Sequence, residues 1–223
     1  MGLNTQQAMQ RRDFIQKMAI AGSGMFILGN FGFIINATAS GINHKAILID
    51  FGKCTGCRTC ESVCAAFNHK VVIEDENMNG LGNPWLSNIR VHHFNPDVDI
   101  PNVCSFCFDA PCIEACPTEV DEQKGHKALY RQPNSLVIRN DKEICISCKS
   151  CIKACKKYSR GVLMPDEDGA PARMCTLCEG DPQCAKFCPY QAISVYNQAD
   201  LMPYTGMSPE KIASQLIETY YKN

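Results

Sequence analysis

The sequence has no surplus of either charge: 22 lysines and arginines stand against 23 aspartates and glutamates in 223 residues, a formal net charge of −1. No basic face is offered to DNA or RNA, so nucleic acid is excluded as an expected partner. There is no nucleophile elbow, phosphate-binding loop or paired-carboxylate signature either, and nothing in the motifs supports a catalytic centre on this chain. No Cys-x-x-Cys-His occurs, which removes covalent haem attachment. After Asn36 no uncharged stretch is long enough to cross a bilayer. Trp85, the single tryptophan, and the tyrosines read as core side chains, and His44, His69, His92, His93 and His126 as surface or structural groups rather than ligands.

What the chain does have is cysteine, 16 residues of it in four tight groups that use every one. The groups are Cys54, Cys57, Cys60, Cys64; Cys104, Cys107, Cys112, Cys116; Cys145, Cys148, Cys151, Cys155; and Cys175, Cys178, Cys184, Cys188. All four end in Cys-x-x-x-Cys, and a repeat of this kind sets the organisation of the chain before any secondary structure is assigned. Dispersed cysteines would suggest a disulfide scaffold; clustered ones point to metal. A cubane iron-sulfur cluster has four iron corners, each needing one thiolate. A Cys-x-x-Cys-x-x-Cys loop wraps three of them, and in bacterial two-cluster ferredoxins the fourth cysteine of the run ligates the other cluster. Each group is then half of a pair, and four groups give four clusters with no thiolate left over. Spacing alone does not say whether neighbouring groups pair or distant ones do.

Two rival readings are weaker. Structural zinc also takes four thiolates, but through two separated Cys-x-x-Cys knuckles rather than four full runs. Disulfides are poorly served by cysteines three apart in loops, which cannot all find partners at the required Cα separation. Cys116-Pro117 and Cys188-Pro189 carry the Cys-Pro ending of ferredoxin runs, whereas Cys64-Ala65 and Cys155-Lys156 do not. Lys156 and Lys157 read as a solvated pair.

Short apolar runs precede the groups. Ala46-Ile47-Leu48-Ile49-Asp50 and Leu136-Val137-Ile138-Arg139-Asn140-Asp141 read as matching strands, Asn88 to Phe94 as a third, and Ala192 to Tyr196 as a closing strand. The segment from Ala65 to Val103, with Asn79-Gly80 and Gly82-Asn83-Pro84, is polar and turn-rich and is expected to be an insertion loop. Ser208-Pro209 marks a helix start, with Ile212, Leu216 and Tyr220 on one face. The expected fold class is α+β, built from two bacterial-ferredoxin-like modules related by internal repetition, with an insertion loop and a C-terminal helix.

Residues 1–39 are a different kind of sequence. Arg11 and Arg12 stand before Phe14, Met18 to Asn36 carries no charge, and Ala37-Thr38-Ala39 supplies small residues for a signal peptidase. This resembles a twin-arginine export signal, cleaved before Ser40 or retained as an anchor. It departs from that pattern in lacking Ser or Thr before the arginines and in placing Lys17 one residue late. Residues 40–200 then form the ferredoxin-like domain and 201–223 a C-terminal extension.

From Ile47 to about Tyr196 the chain resembles the four-cluster, ferredoxin-like iron-sulfur subunits of respiratory oxidoreductases. Their partners are molybdopterin enzymes of the dimethyl-sulfoxide-reductase type or relatives of tungsten aldehyde oxidoreductase. The resemblance rests on Cys54-Thr55-Gly56-Cys57-Arg58-Thr59-Cys60-Glu61, Asp109-Ala110-Pro111-Cys112, Cys175-Thr176-Leu177-Cys178 and Phe187-Cys188-Pro189-Tyr190. It implies that the first group pairs with the fourth and the second with the third. Cys54, Cys57 and Cys60 would share a 4Fe-4S cluster with Cys188, and Cys175, Cys178 and Cys184 one with Cys64. Cys104, Cys107 and Cys112 would join Cys155, and Cys145, Cys148 and Cys151 would join Cys116.

It further implies a non-catalytic electron-transfer subunit in the periplasm or on the outer face of the membrane. Such a subunit conducts electrons between a catalytic molybdopterin or tungstopterin subunit and a membrane quinone-interacting subunit or soluble carrier. A reading from another class is a metal-stabilised assembly module without redox role. If the export reading holds, Arg11→Lys with Arg12→Lys strands the protein in the cytoplasm. Cell fractionation tests this, and normal export of the variant would remove the twin-arginine reading.

Overall fold

A computed structural model describes residues 45–78, 83–196 and 204–221. The export segment of residues 1–39 lies outside the described residues, as do Asn79, Gly80 and Gly82. No helix among the described residues is long and apolar enough to cross a membrane.

The fold is mixed, with small antiparallel strand pairs and short helices. β1 (Ala46–Ile49) pairs with β10 (Ile193–Tyr196), Ala46 opposite Tyr196 and Ile49 opposite Ile193, so the beginning and end of the cysteine-bearing region lie side by side. β2 (Val71–Ile73) and β3 (Glu76–Met78) form a hairpin, as do β4 (Arg90–Phe94) and β5 (Val98–Asn102). β6 (Leu129–Arg131) pairs with β7 (Ile138–Asn140), and β8 (Met164–Pro165) with β9 (Pro171–Ala172). The helices are α1 (Thr59–Asn68), α2 (Pro111–Glu114), α3 (Ser150–Tyr158), α4 (Gln183–Lys186) and α5 (Pro209–Tyr221).

Two assemblies of the same make-up follow. In one, the β1–β10 pair lies with α1 and α4 over a core of Ile47, Ile49, Ile89, Val91, Phe106, Leu177 and Ile193, into which Cys60, Cys64, Cys175 and Cys184 are packed. In the other, the β6–β7 pair lies with α2 and α3 over Ala128, Leu129, Ile138, Val162 and Leu163, with Cys112, Cys116, Cys151 and Cys155 among them. Cys104 packs against both cores and marks their junction.

The expected insertion loop is not a loop. Between Ala65 and Val103 the chain finishes α1 and makes the two hairpins β2–β3 and β4–β5. Strand β5 is buried at every position but Asp99, and Ile100 is fully enclosed. This second hairpin is the platform for α5, whose Ile212, Ala213 and Leu216 pack against Val98 and Ile100. Tyr220 does not continue that face: it is 65% exposed. Trp85 is likewise no core residue. It is 68% exposed, and the Arg90 guanidinium lies over its ring 4.7 Å from the centroid.

Truncating a fully buried isoleucine removes its transfer energy and leaves a cavity, a cost of about 2–5 kcal/mol. Ile212→Ala is therefore expected to lower stability by that amount, and Tyr220→Ala by no more than about 0.5 kcal/mol. Guanidinium unfolding of anaerobic protein measures both. Equal effects would mean that α5 does not dock through the Ile212 face.

Candidate metal centres

In all four cysteine groups the backbone makes the same turn. The residue just before the second cysteine is left-handed: Gly56 at φ 66°, Phe106 at 52°, Ser147 at 53° and Leu177 at 52°. Three of these carry a side chain that disfavours the conformation, so each turn is held by its surroundings rather than by local preference. Such a turn aims successive amide N–H groups into one concavity, which suits an anion. The amides of Gly56, Phe106 and Leu177 donate to the sulfurs of Cys54, Cys104 and Cys175, the last at 3.5 Å. At Gly56 glycine is also required by space, because a Cβ would run into the Asp99 carboxylate from strand β5.

The third cysteine of every group is the second residue of a helix: Cys60 in α1, Cys112 in α2, Cys151 in α3 and Cys184 in α4. The fourth depends on how far the helix runs. Cys64 and Cys155 lie within α1 and α3, one turn beyond Cys60 and Cys151. α2 and α4 stop after a single turn, and Cys116 and Cys188 follow them, each before a proline that cannot continue a helix. This is why two groups carry Cys-Pro and two do not.

The turns and helices bring cysteines of different groups together. One cavity is lined by Cys54, Cys57, Cys60 and Cys188, another by Cys64, Cys175, Cys178 and Cys184, and a third by Cys116, Cys145, Cys148 and Cys151. The remaining four are also mutual neighbours. Burial first, then Cys104, Cys155 and Cys107, push the Cys112 thiol up to about 12. These are the first, second, fourth and third sites. None of the sixteen cysteines forms a disulfide.

The sites are linked in sequence. α1 carries Cys60 of the first site and Cys64 of the second, and Cys184 of the second acts on Cys60. Cys104 of the third acts on Cys175 of the second, and α3 joins Cys155 of the third to Cys151 of the fourth. The first and fourth sites each have one exposed cysteine, Cys57 and Cys148, whereas all four cysteines of the second are buried.

Burial dominates the electrostatics. It pushes Cys184 up to about 12 and Cys151 to about 11, and raises Cys60 and Cys175 further. Cys57 and Cys116 run the other way: desolvation is outweighed by hydrogen bonds from Thr59 and from Thr118, and both thiols fall below their usual range. Thiols held this far above neutral pH lose their protons only to a metal, which deprotonates a coordinating sulfur outright. The donor set therefore suits iron: four sulfurs around each site, amides and hydroxyls aimed at them, and little competing oxygen.

Polar side chains that motif reading missed complete the surroundings. Asn68 stands one turn after Cys64 in α1; its Nδ2 lies 3.6 Å from the Cys64 sulfur and 3.9 Å from that of Cys178, and its Oδ1 accepts from the Thr176 hydroxyl at 2.7 Å. The i, i+4 spacing from Cys64 was the available signal. The Asn88 amide donates to Cys64 at 3.4 Å, and the Ser159 hydroxyl lies 3.1 Å from the Cys107 sulfur. Those two contacts had no sequence signal.

No family model matches the chain. Among curated proteins it is 36% identical over 146 residues to the aliphatic sulfonate oxidoreductase polyferredoxin-like subunit of Pyrococcus furiosus, an alignment spanning 64% of this chain and 70% of that protein. The chain belongs to the polyferredoxin-like electron-transport subunits. A putative electron transport protein of Escherichia coli, YsaA, is 32% identical over 67% of this chain and 88% of its own. The arsenate respiratory reductase iron-sulfur subunit of a Shewanella strain is 34% identical over 49% of this chain and 41% of its own. This polyferredoxin-like subunit is thus an iron-sulfur electron-transfer component of an oxidoreductase complex, and the chemistry on substrate belongs to a catalytic partner.

Because Cys64 stands among Cys175, Cys178 and Cys184, Cys64→Ser is expected to alter the spectrum of the centre held mainly by the fourth group and to leave that of Cys54, Cys57 and Cys60 unchanged. Electron paramagnetic resonance of the variant tests this. A change confined to the centre of Cys54, Cys57 and Cys60 would show that neighbours pair instead.

Proposed function

We propose that the sixteen cysteines hold four 4Fe-4S clusters. The first is on Cys54, Cys57, Cys60 and Cys188, the second on Cys64, Cys175, Cys178 and Cys184, the third on Cys104, Cys107, Cys112 and Cys155, and the fourth on Cys116, Cys145, Cys148 and Cys151. One observation carries this: four thiols drawn from two sequence groups converge at every site, and none is left over.

The two assemblies, each a strand pair with two helices and eight cysteines, are read as ferredoxin-like modules related by internal repetition. The β1–β10 module is formed by the outer groups and the β6–β7 module by the inner ones. Bound clusters supply one-electron redox chemistry over a potential range set by hydrogen bonds, burial and nearby charge. The chain's own residues hold the four sites in series, cover the second from water and leave the first and fourth open at Cys57 and Cys148. Partners on those two sides are a catalytic molybdopterin or tungstopterin subunit and a membrane quinone-interacting subunit or other carrier. Export to the periplasm by the twin-arginine route, with residues 1–39 as the signal, completes the reading and rests on the Arg11-Arg12 motif.

Anaerobically purified protein is expected to contain about sixteen irons and about sixteen acid-labile sulfides per chain, and a reductive titration followed by electron paramagnetic resonance to show several reducible centres. Zinc in place of iron, or centres silent throughout the titration, would make this a structural module instead.

A further inference from the structure

Among the described residues, one carboxyl side chain, Glu61, and one guanidinium, Arg160, are buried. Glu61, 0% exposed, stands beside Cys60; its Oε1 accepts from the Val91 amide at 2.6 Å and faces Arg90 Nε at 3.9 Å. Glu61 thus has a cation beside it inside the protein, although its Oε2 has no hydrogen-bond partner. Arg160, 6% exposed, follows α3 near the third site and is not compensated in this way. Its Nη2 donates to the Tyr204 carbonyl at 3.4 Å, while Nε and Nη1 have no hydrogen-bond partner. No carboxylate pairs with it among the described residues, and the ionisable groups acting on it are Cys104 and Cys107.

The backbone holds the residue in place. The Asn102 side-chain Nδ2 donates to the Arg160 carbonyl at 3.1 Å, and the backbone amides on either side of Arg160, those of Ser159 and Gly161, both donate to the Cys155 carbonyl, at 3.0 and 3.2 Å. Burial lowers the guanidinium to about 10, which still leaves it protonated at neutral pH. A buried cation is tolerated only when something anionic answers it, and neutral thiols do not.

We propose that Arg160 is the counter-cation of the iron-sulfur centre on Cys104, Cys107, Cys112 and Cys155, and that its fixed charge raises that centre's reduction potential. This rests on the reading that those four thiolates hold a cluster. The step concerned is the gain of one electron from a neighbouring centre and the loss of that electron to the next, with no bond made or broken and no proton moved. Gaining the electron adds one negative charge, so a cation that does not release its proton stabilises the reduced form more than the oxidised one. Since the guanidinium is buried, salt screens the effect little. Arg160 is a positioning charge for electron transfer, and through it the third site becomes a favoured resting place for an electron entering the series.

The test compares anaerobic wild-type protein with Arg160→Gln and Arg160→Lys by iron content and by potentiometric titration under electron paramagnetic resonance. Signals of the third centre are identified by their change in Cys107→Ser. With iron retained, Arg160→Gln is expected to favour the oxidised form of the third centre about tenfold, a fall of about 59 mV for one electron. The other centres should move far less, and Arg160→Lys should keep the wild-type value. An unchanged third midpoint in Arg160→Gln would overturn the inference, as would iron loss in both variants alike, since that assigns Arg160 a structural role only. Wild-type protein with no iron at the third site would instead overturn the underlying assignment.

Discussion

Everything in this molecule answers to the difficulty of gathering thiolates inside protein. Two unit charges 4 Å apart repel by about 4 kcal/mol at an effective dielectric near 20, whereas a hydrogen bond returns on the order of 1 kcal/mol. Amides and hydroxyls alone cannot hold four anionic sulfurs together. Without metal the buried thiols stay protonated, as the high values at Cys104, Cys112 and Cys184 show. On the proposed function, metal capture and completion of the fold would be coupled. The left-handed turns before Cys57, Cys107, Cys148 and Cys178 show the same logic in the backbone, where strain is accepted so that N–H groups converge on sulfur.

The core is correspondingly thin. Strand pairs of two to five residues and one-turn helices do not make independently stable elements, and cysteines sit among the isoleucines and valines of both cores. On the proposed assignment, a centre shared by Cys54 and Cys188 would tie together positions 134 residues apart (188 − 54). A covalent link closing a loop of about 100 residues removes roughly 4.7 kcal/mol of chain entropy from the unfolded state, and a four-ligand centre constrains it at least as much. The β1–β10 pair is the visible trace of that closure.

Much of this was legible in the sequence because cysteine spacing is chemistry written at fixed intervals. The four groups, strands β1, β4, β7 and β10 and the helix beginning at Pro209 were all readable from local pattern. Pairing of distant groups was not, because spacing within a run is the same whichever partner completes the site; only the resemblance indicated it. Strand β5, the partner of β4 and with Val98 and Ile100 on its inward side, was read as part of a loop. Trp85 was misread because aromatic size suggests a core, while here the ring serves as a seat for Arg90 on the surface. Arg160 carried no signal: a lone arginine in a loop is ordinary until its burial is known.

The outer assembly encloses the inner one along the chain, and this has a consequence for biosynthesis. Cys104 to Cys155 emerge from the ribosome as a contiguous stretch, so the third site has all its cysteines while the protein is still being made. The first site waits for Cys188, which follows Cys60 by 128 residues (188 − 60), roughly 6 to 26 s of synthesis at about 5–20 residues per second. During that interval three open thiols stand without their fourth. The nascent chain is therefore most vulnerable to oxygen and to stray metals at its beginning, and the last cysteine to be translated is the one that closes the door.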